Sequence, residues 1–372
     1  MAEKILRKDE LFNAQTVAQL GGEYARAVPG FDQAQFQREA LEGLASRELM
    51  ARMDWLADCV DAQLPADFTQ KAAALEAAMP APLDPMRQDD DFGHFIHAIP
   101  GILAVRHGLE AHRARAMDLL YRATQRFSME FYIRSFLNEW PAETLTILST
   151  WAGDDNYHVR RLVSEGTRPK LPWARAVKLS AAQTLPLLDQ LHADPTRYVT
   201  RSVANHLNDL SKTHPDLVLG RLAQWTSQAR QDPKELAWMT RHALRTLIKQ
   251  GHPGAMAALG YDAEAPLSVQ LELTSPRVEI GQALAFSCTI TAPCDVAVLV
   301  DYRISFARPG GKQGQKVFKL KQGAVRAGHG LVLRKSHVLK GDATTFRLYP
   351  GPHHLTVQVN GVDRATGQFE LL

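Results

Sequence analysis

The sequence predicts a mainly α chain in which an α-solenoid is followed by an all-β sandwich. Three observations predict this. Up to about Gly260, apolar residues recur at helical spacing, as in Leu236, Met239, Ala243, Leu244 and Leu247. Within that region an arginine-centred segment returns at a fixed interval. After Pro266 the pattern becomes alternation, as in Leu267, Val269, Leu271 and Leu273, or Leu355, Val357 and Val359. The expected boundary lies near residue 262, giving a helical domain over 1–262 and a sandwich over 263–372.

Residues 1–95 are expected to form helices and carry no assigned chemistry; the run Asp89-Asp-Asp91 reads as a solvated turn. The repeat follows. Tyr157-His-Val159-Arg-Arg161, Tyr198-Val199-Thr-Arg201 and Trp238-Met239-Thr-Arg241 place equivalent arginines 40 residues apart. An acidic loop precedes each segment, Gly153-Asp-Asp155, Ala193-Asp-Pro195 or Gln231-Asp-Pro233, and suits the start of a helix. Two helices per period of about 40 residues indicate HEAT-like repeats. A shorter copy, Glu130-Phe-Tyr-Ile-Arg134-Ser-Phe, is expected ahead of them.

Beyond the linker-like Tyr261-Asp-Ala-Glu-Ala-Pro266, about seven strand-like runs are separated by turn signals such as Pro309-Gly-Gly311, Gly328-His-Gly330 and Asn360-Gly361. A tail so built predicts an immunoglobulin-like sandwich. Cys288 and Cys294 are too close in sequence for the usual disulfide across two sheets.

The composition, 45% hydrophobic and 22% charged, is that of an ordinary globular chain. No apolar stretch approaches the roughly 20 residues of a membrane span, and the start MAEKILRKDE lacks the apolar core of a signal peptide, so a cytoplasmic location is expected. Three cysteines, Cys59, Cys288 and Cys294, form neither a zinc knuckle nor a disulfide framework, and no metal is expected. The net charge of +3 is unevenly spread: residues 266–372 carry 13 Lys and Arg against 7 Asp and Glu, a net of +6, and the remainder is mildly acidic. A basic tail fits a polyanionic partner.

The stretch Trp151-Ala-Gly-Asp-Asp155-Asn-Tyr-His-Val-Arg160-Arg161-Leu-Val-Ser-Glu165-Gly-Thr-Arg168-Pro-Lys170-Leu-Pro-Trp173 gathers aromatics, carboxylates and cations. With Val203-Ala-Asn205-His-Leu-Asn208-Asp209-Leu-Ser-Lys212 it resembles the AlkC branch of the alkylpurine DNA glycosylases, a HEAT-like family that includes AlkD, over essentially the whole chain. The resemblance implies excision of N-alkylated bases such as 3-methylcytosine and 3-methyladenine from DNA, without swinging the base into a tight pocket. No cofactor, no membrane and no obligate protein partner are expected, and the protein should act as a monomer on DNA containing alkylated bases. The competing reading is a non-catalytic scaffold whose HEAT groove holds a protein or DNA.

The chemistry needs few residue types. An alkylated ring nitrogen makes the base cationic, so it leaves neutral without an acid, while positive charge develops on the deoxyribose. A carboxylate near the anomeric carbon stabilises that charge and orients water. Within the resemblance Asp209 is the first catalytic choice and Glu130 the second; their alternative roles are a turn and a helix-dipole partner. Asp155, four residues after Trp151, has the spacing of the AlkD-like tryptophan and aspartate but also stands where a helix cap belongs. Glu165, one turn past Arg161, is either catalyst or ion-pair partner.

Trp173 is the candidate surface for sugar or base, its alternative being packing between repeats. Arg160, Arg161, Arg168 and Lys170 are candidate phosphate clamps, with one of the adjacent pair expected to face a carboxylate inside the stack. Trp151, Asn156, Arg201 and Lys212 complete the lesion- and DNA-facing set of the helical part. In the sandwich, Arg308, Lys312 and Lys316, with Arg303, Lys319 and Lys321, form a basic hairpin suited either to the DNA backbone or to guarding a solvated edge.

Overall fold

The computed structural model describes residues 7–87, 92–311, 313–341 and 347–372. Asp89-Asp-Asp91 and Lys312 lie outside the described residues. The helices, in chain order, are α1 (Arg7–Leu11), α2 (Ala14–Ala27), α3 (Gln33–Leu44), α4 (Leu49–Asp61), α5 (Phe68–Ala77), α6 (Ile99–Leu103), α7 (Arg113–Thr124) and α8 (Ile133–Glu139). They continue with α9 (Pro141–Trp151), α10 (Tyr157–Gly166), α11 (Ala181–Leu191), α12 (Arg197–Ser211), α13 (Pro215–Gln228), α14 (Pro233–Ala243), α15 (Arg245–Lys249) and α16 (Pro253–Ala258). By packing, the chain forms two units: residues 1–210 with 228–242, and 211–227 with 243–372.

In the first unit the three repeat arginines fall on α10, α12 and α14. Each helix buries an apolar stripe at the expected spacing: Val159, Leu162 and Val163; Val199, Val203 and Leu207; Leu236, Met239 and Ala243. Each larger side chain among them contributes about 1.5–3 kcal/mol on leaving water. Polar ties repeat between neighbouring helices. Arg160 reaches Asp194, Arg197 reaches Glu235, and His242 meets Asn205 at 2.8 Å. The loop acids start α12 and α14, since Asp194 accepts from Thr196 N and Asp232 accepts from Glu235 N. At α10 the cap is Asn156, whose side chain accepts from His158 N at 2.9 Å, while Asp154 in turn accepts from Asn156 N. Neither Asp155 as the cap nor Asn156 as a lesion contact fits this arrangement. The short copy becomes α8.

The second unit holds α13, α15, α16 and strands β1 (Ser268–Leu273), β2 (Arg277–Val278), β3 (Ala283–Thr291), β4 (Val296–Ala307), β5 (Gln313–Val325), β6 (Leu331–Val338), β7 (Gly351–Val359) and β8 (Val362–Leu371). They form a three-stranded sheet in the order β1-β3-β6 and a five-stranded sheet in the order β2-β8-β7-β4-β5. Phe286, Tyr302, Ile304, Val357 and Phe369 fill the space between them, as alternation predicts. The β7–β8 turn is Asn360-Gly361, with φ of 51° and 82°, the two positive values that a tight hairpin turn demands.

The stretch at 261–266 reads as a linker in sequence, yet it is pinned. Asn360 Nδ2 donates to Asp262 O at 2.9 Å, and Arg364 Nη2 donates to Ala263 O at 2.8 Å. Nearby, Gly251 lies so close to Gly361 that a Cβ on Gly251 would stand 2.3 Å from the Gly361 carbonyl oxygen.

Candidate active site

Three carboxylates and two arginines predicted from sequence form one network at the C-terminal end of α10. Arg161 donates Nη1 to Glu130 at 2.7 Å and to Ser128 Oγ at 2.8 Å, and Ser128 donates to Glu130 at 2.5 Å. Arg161 also lies over the Tyr198 ring, 4.4 Å from its centroid, and 4.0 Å from Glu165. Glu165 accepts from Ser202 Oγ and from Arg168 Nη1, each at 2.5 Å. Arg168 then donates Nε to Asp209 at 3.0 Å, with Nη2 also 3.0 Å away. Glu165, Arg168 and Asp209 are buried, whereas the Glu130 side chain is 16% exposed.

The charges fix one another. Burial alone would raise the Glu165 carboxyl, but Arg161, Arg168 and the Ser202 hydroxyl hold it below the usual carboxylate range. Burial likewise opposes the charge on Arg161, and Glu130 with Tyr198 and Glu165 overcomes it, so the guanidinium is held above its ordinary value. Arg168 is raised in the same way, against its burial, by Glu165 and Asp209. Arg161, Glu165 and Arg168 are thus each held in the charged form by their neighbours.

Trp173 stands beside this network in sequence, five residues past Arg168, and is 75% exposed. Alone among the six tryptophans it is exposed. Leu171 to Ala174 make a tight turn closed by Ala174 N to Leu171 O at 3.2 Å, with Pro172 second and Trp173 third. Trp173 has φ of 63°, where this turn ordinarily places glycine. An indole held at such a backbone angle is strained, and the strain sits where the side chain is displayed.

Other candidates fall elsewhere. Asp155 lies ahead of α10, about 15 Å along the axis from Glu165 near the helix's far end. Trp151 is buried against Tyr121, 5.5 Å between centroids, and is a packing residue, not a lesion contact. Arg160 gives its guanidinium to Asp194 and to the carbonyls of Asp154 and Asp155, so it braces the repeat and is not a phosphate clamp. Arg161 and Arg168, occupied by carboxylates, are not free clamps either. Both adjacent arginines therefore face carboxylates, where one was expected. Lys170 is exposed, as is Lys212, and Arg201 lies 5.6 Å from the Tyr198 ring centroid. In the sandwich Arg303 is paired with Asp363 at 2.6 Å, Arg308, Lys319 and Lys321 are exposed, and Lys316 is half-buried on β5, the edge of the five-stranded sheet.

Sequence reasoning missed Ser128, Ser202, Tyr198, Arg175 and Lys178. Tyr198 opens a repeat segment already aligned on Arg161 and Arg201, so the repeat itself was the available signal. Arg175 and Lys178 are exposed on the Trp173 loop and continue its run of basic residues. Among the described residues no cluster of His, Cys, Asp and Glu is arranged to hold a metal ion, and no helix is long and apolar enough to cross a membrane.

The comparisons with known proteins agree in their coverage. The family model described as DNA alkylation repair enzyme matches residues 117–247, and the model of the C-terminal Ig-like domain of the uncharacterised protein YhaZ matches residues 268–372. The uncharacterized protein YhaZ of Bacillus subtilis is 32% identical over 97% of this chain and 98% of its own length. The structure of Pseudomonas fluorescens alkylpurine DNA glycosylase AlkC, bound to DNA containing an abasic site analog, is 34% identical, covers 98% of this chain and 99% of its own, and superposes with a TM-score of 0.86. With its helical repeats, its carboxylate–arginine network and its sandwich tail, the chain belongs to the AlkC branch of the DNA alkylation repair enzymes, in the form with a C-terminal immunoglobulin-like domain.

Proposed function

We propose that this protein is a DNA glycosylase that hydrolyses the N-glycosidic bond of cationic N-alkylated bases, of the 3-methylcytosine and 3-methyladenine type, in base excision repair. The observation that carries the reading is the juxtaposition of Glu130, Glu165 and Asp209 in one arginine-fixed network at the base of the loop that displays Trp173. A cationic base departs as a neutral group, so the protein supplies no acid to it. What it supplies is negative charge, already oriented, for the sugar as it becomes oxocarbenium-like, and an acceptor for the attacking water. Asp209 and the partly exposed Glu130 take those roles. Glu165, bonded to Ser202 and Arg168, locks the arginines in place.

Trp173 offers an aromatic face to the lesion or its sugar, an attraction of about 0.5–2 kcal/mol toward a cation. An exposed indole on a surface loop contacts a base that stays near the helix, which suits a reaction without extrusion into a closed pocket. Lys316, Lys319 and Lys321 on the β5 edge, with Arg308 in the turn that leads to it, add backbone affinity. In this reading the enzyme acts without a cofactor, as a monomer and by hydrolysis.

The test is base release from a duplex carrying one 3-methylcytosine, scored by alkali cleavage at the abasic site, beside an unmodified duplex. Release confined to the lesion strand, lost by at least about 100-fold in Asp209→Asn with DNA binding kept, supports the enzyme. Tight binding with no release from this duplex or from methylated genomic DNA selects the scaffold reading instead.

A further inference from the structure

We propose that Arg134 and Asn138 are positioning residues for excision: one turn apart on α8, they clasp the loop between α10 and α11 and hold the Trp173 turn in its strained form. This rests on the glycosylase reading for its kinetic test, but the structural observation stands apart from it.

The loop over residues 167–179 has no helix or strand of its own, so its backbone groups need partners from elsewhere. Arg134 is fully buried. Its Nη1 donates to Gly166 O at 3.0 Å and to Arg168 O at 2.9 Å, and its Nε donates to Arg175 O. One guanidinium therefore ties the end of α10 to the far leg of the loop, on either side of Trp173. Asn138, four residues on and hence on the same helix face, takes the next two positions. Its Nδ2 donates to Ala176 O at 2.8 Å and its Oδ1 accepts from Lys178 N at 3.0 Å. Leu171, also buried, anchors the near leg.

Two features argue that the clasp does more than fill space. Burying a guanidinium carries a large desolvation penalty, and the donors of this one meet carbonyls, which offset that penalty less than a carboxylate would. Burial and Arg168 together lower it to about 10, so it remains a cation at neutral pH, while its Nη2 has no hydrogen-bond partner. In addition, Trp173 at φ of 63° returns to an ordinary backbone angle if its two legs are free to shift, and that rotation swings the indole away. The clasp fixes both legs.

The experiment measures single-turnover release from the 3-methylcytosine duplex, DNA binding and thermal unfolding for the parent, Arg134→Lys, Asn138→Ala, Trp173→Ala and Asn138→Ala with Trp173→Ala. Asn138→Ala should slow release about 10-fold or more, as misplacement of a positioning group does, with binding and melting nearly unchanged. Arg134→Lys, which keeps the charge and loses the fan of donors, should slow it further. In the Trp173→Ala background Asn138→Ala should have almost no additional effect. Parent rates in both single variants with melting intact, or an equal slowing with and without Trp173, would overturn the proposal. Acrylamide quenching of the Trp173 component of fluorescence, obtained by difference from Trp173→Phe, must also change in Asn138→Ala. That readout needs no activity, so a parent that releases no base sinks the glycosylase reading while the clasp is still decided.

Discussion

Arg160 and Arg161 are adjacent in sequence and serve different faces of one helix: Arg160 holds Asp194 at 2.6 Å, and Arg161 holds Glu130 at 2.7 Å. Successive helical side chains point about 100° apart, so one arginine faces the next repeat's entry loop and the other faces the network. Removing them should have separable consequences. Arg160→Ala leaves Asp194, whose side chain is 3% exposed, without its cation, and should cost about 3 kcal/mol of stability with little change in release rate per folded molecule. Arg161→Ala should instead depress release strongly. Denaturant unfolding beside single-turnover kinetics checks both; a rate loss in Arg160→Ala as large as that in Arg161→Ala contradicts the division.

Trp173 gives a sharper contrast between stability and activity. Glycine accepts φ of 63° freely, alanine does not. Trp173→Gly should therefore be more stable than Trp173→Ala by about 1 kcal/mol, and both should lose base release alike. Equal melting of the two variants would show that the turn relaxes once the indole is gone.

Acid should weaken the fold through His206. The ring is fully buried, Nδ1 donates to Ser164 O at 3.2 Å, and burial pushes its pKa down to about 4. In the unfolded chain it titrates near 6.5, so below that pH the unfolded state takes up a proton that the native state lacks. The stabilisation is complete above pH 6.5 and is lost as pH falls toward 4, by about 3 kcal/mol. His192, also lowered by burial, adds in the same direction. His206→Gln should flatten the fall of stability between pH 6.5 and 4; denaturant midpoints with the parent's slope would refute this assignment.

Lys170, Arg175 and Lys178 flank the exposed indole and are themselves exposed. If they meet phosphates on either side of the lesion, each contact changes the slope of log affinity against log salt by about 0.9. Replacing all three by alanine should make that slope shallower by about 2 to 3 and weaken binding to damaged and undamaged duplex alike. An unchanged slope would assign the backbone contacts elsewhere.

Much of this architecture is legible in the sequence. The period of 40 residues and the apolar stripes placed α10, α12 and α14 because both depend only on local spacing. The switch to alternation placed the strands for the same reason. Asp209, Glu165 and Glu130 were identifiable as carboxylates of interest through the family resemblance, but their common network was not. Glu130 and Arg161 are 31 residues apart and Arg168 and Asp209 are 41 apart, and no local pattern records such pairings. The cap of α10 is not settled by sequence, because three polar residues in a row, Asp154, Asp155 and Asn156, can each begin a helix; the cap geometry selects Asn156 over Asp155. Arg134 escaped because its partners are backbone carbonyls, which leave no mark on composition.

The seam at Asn360 and Gly251 bears on how such proteins are assembled and cut. Helical and strand texture change hands near residue 262, but the hydrogen bond from Asn360 to Asp262 O crosses that line, and so does the Gly251–Gly361 approach. A graft that transplants the sandwich from residue 263 onward severs this bond and takes Gly361 away from Gly251. A donor segment that starts at Ala243 carries the seam intact. The portable piece of this chain is thus longer than its strands, and recombination that respects it keeps the last two helices with the tail.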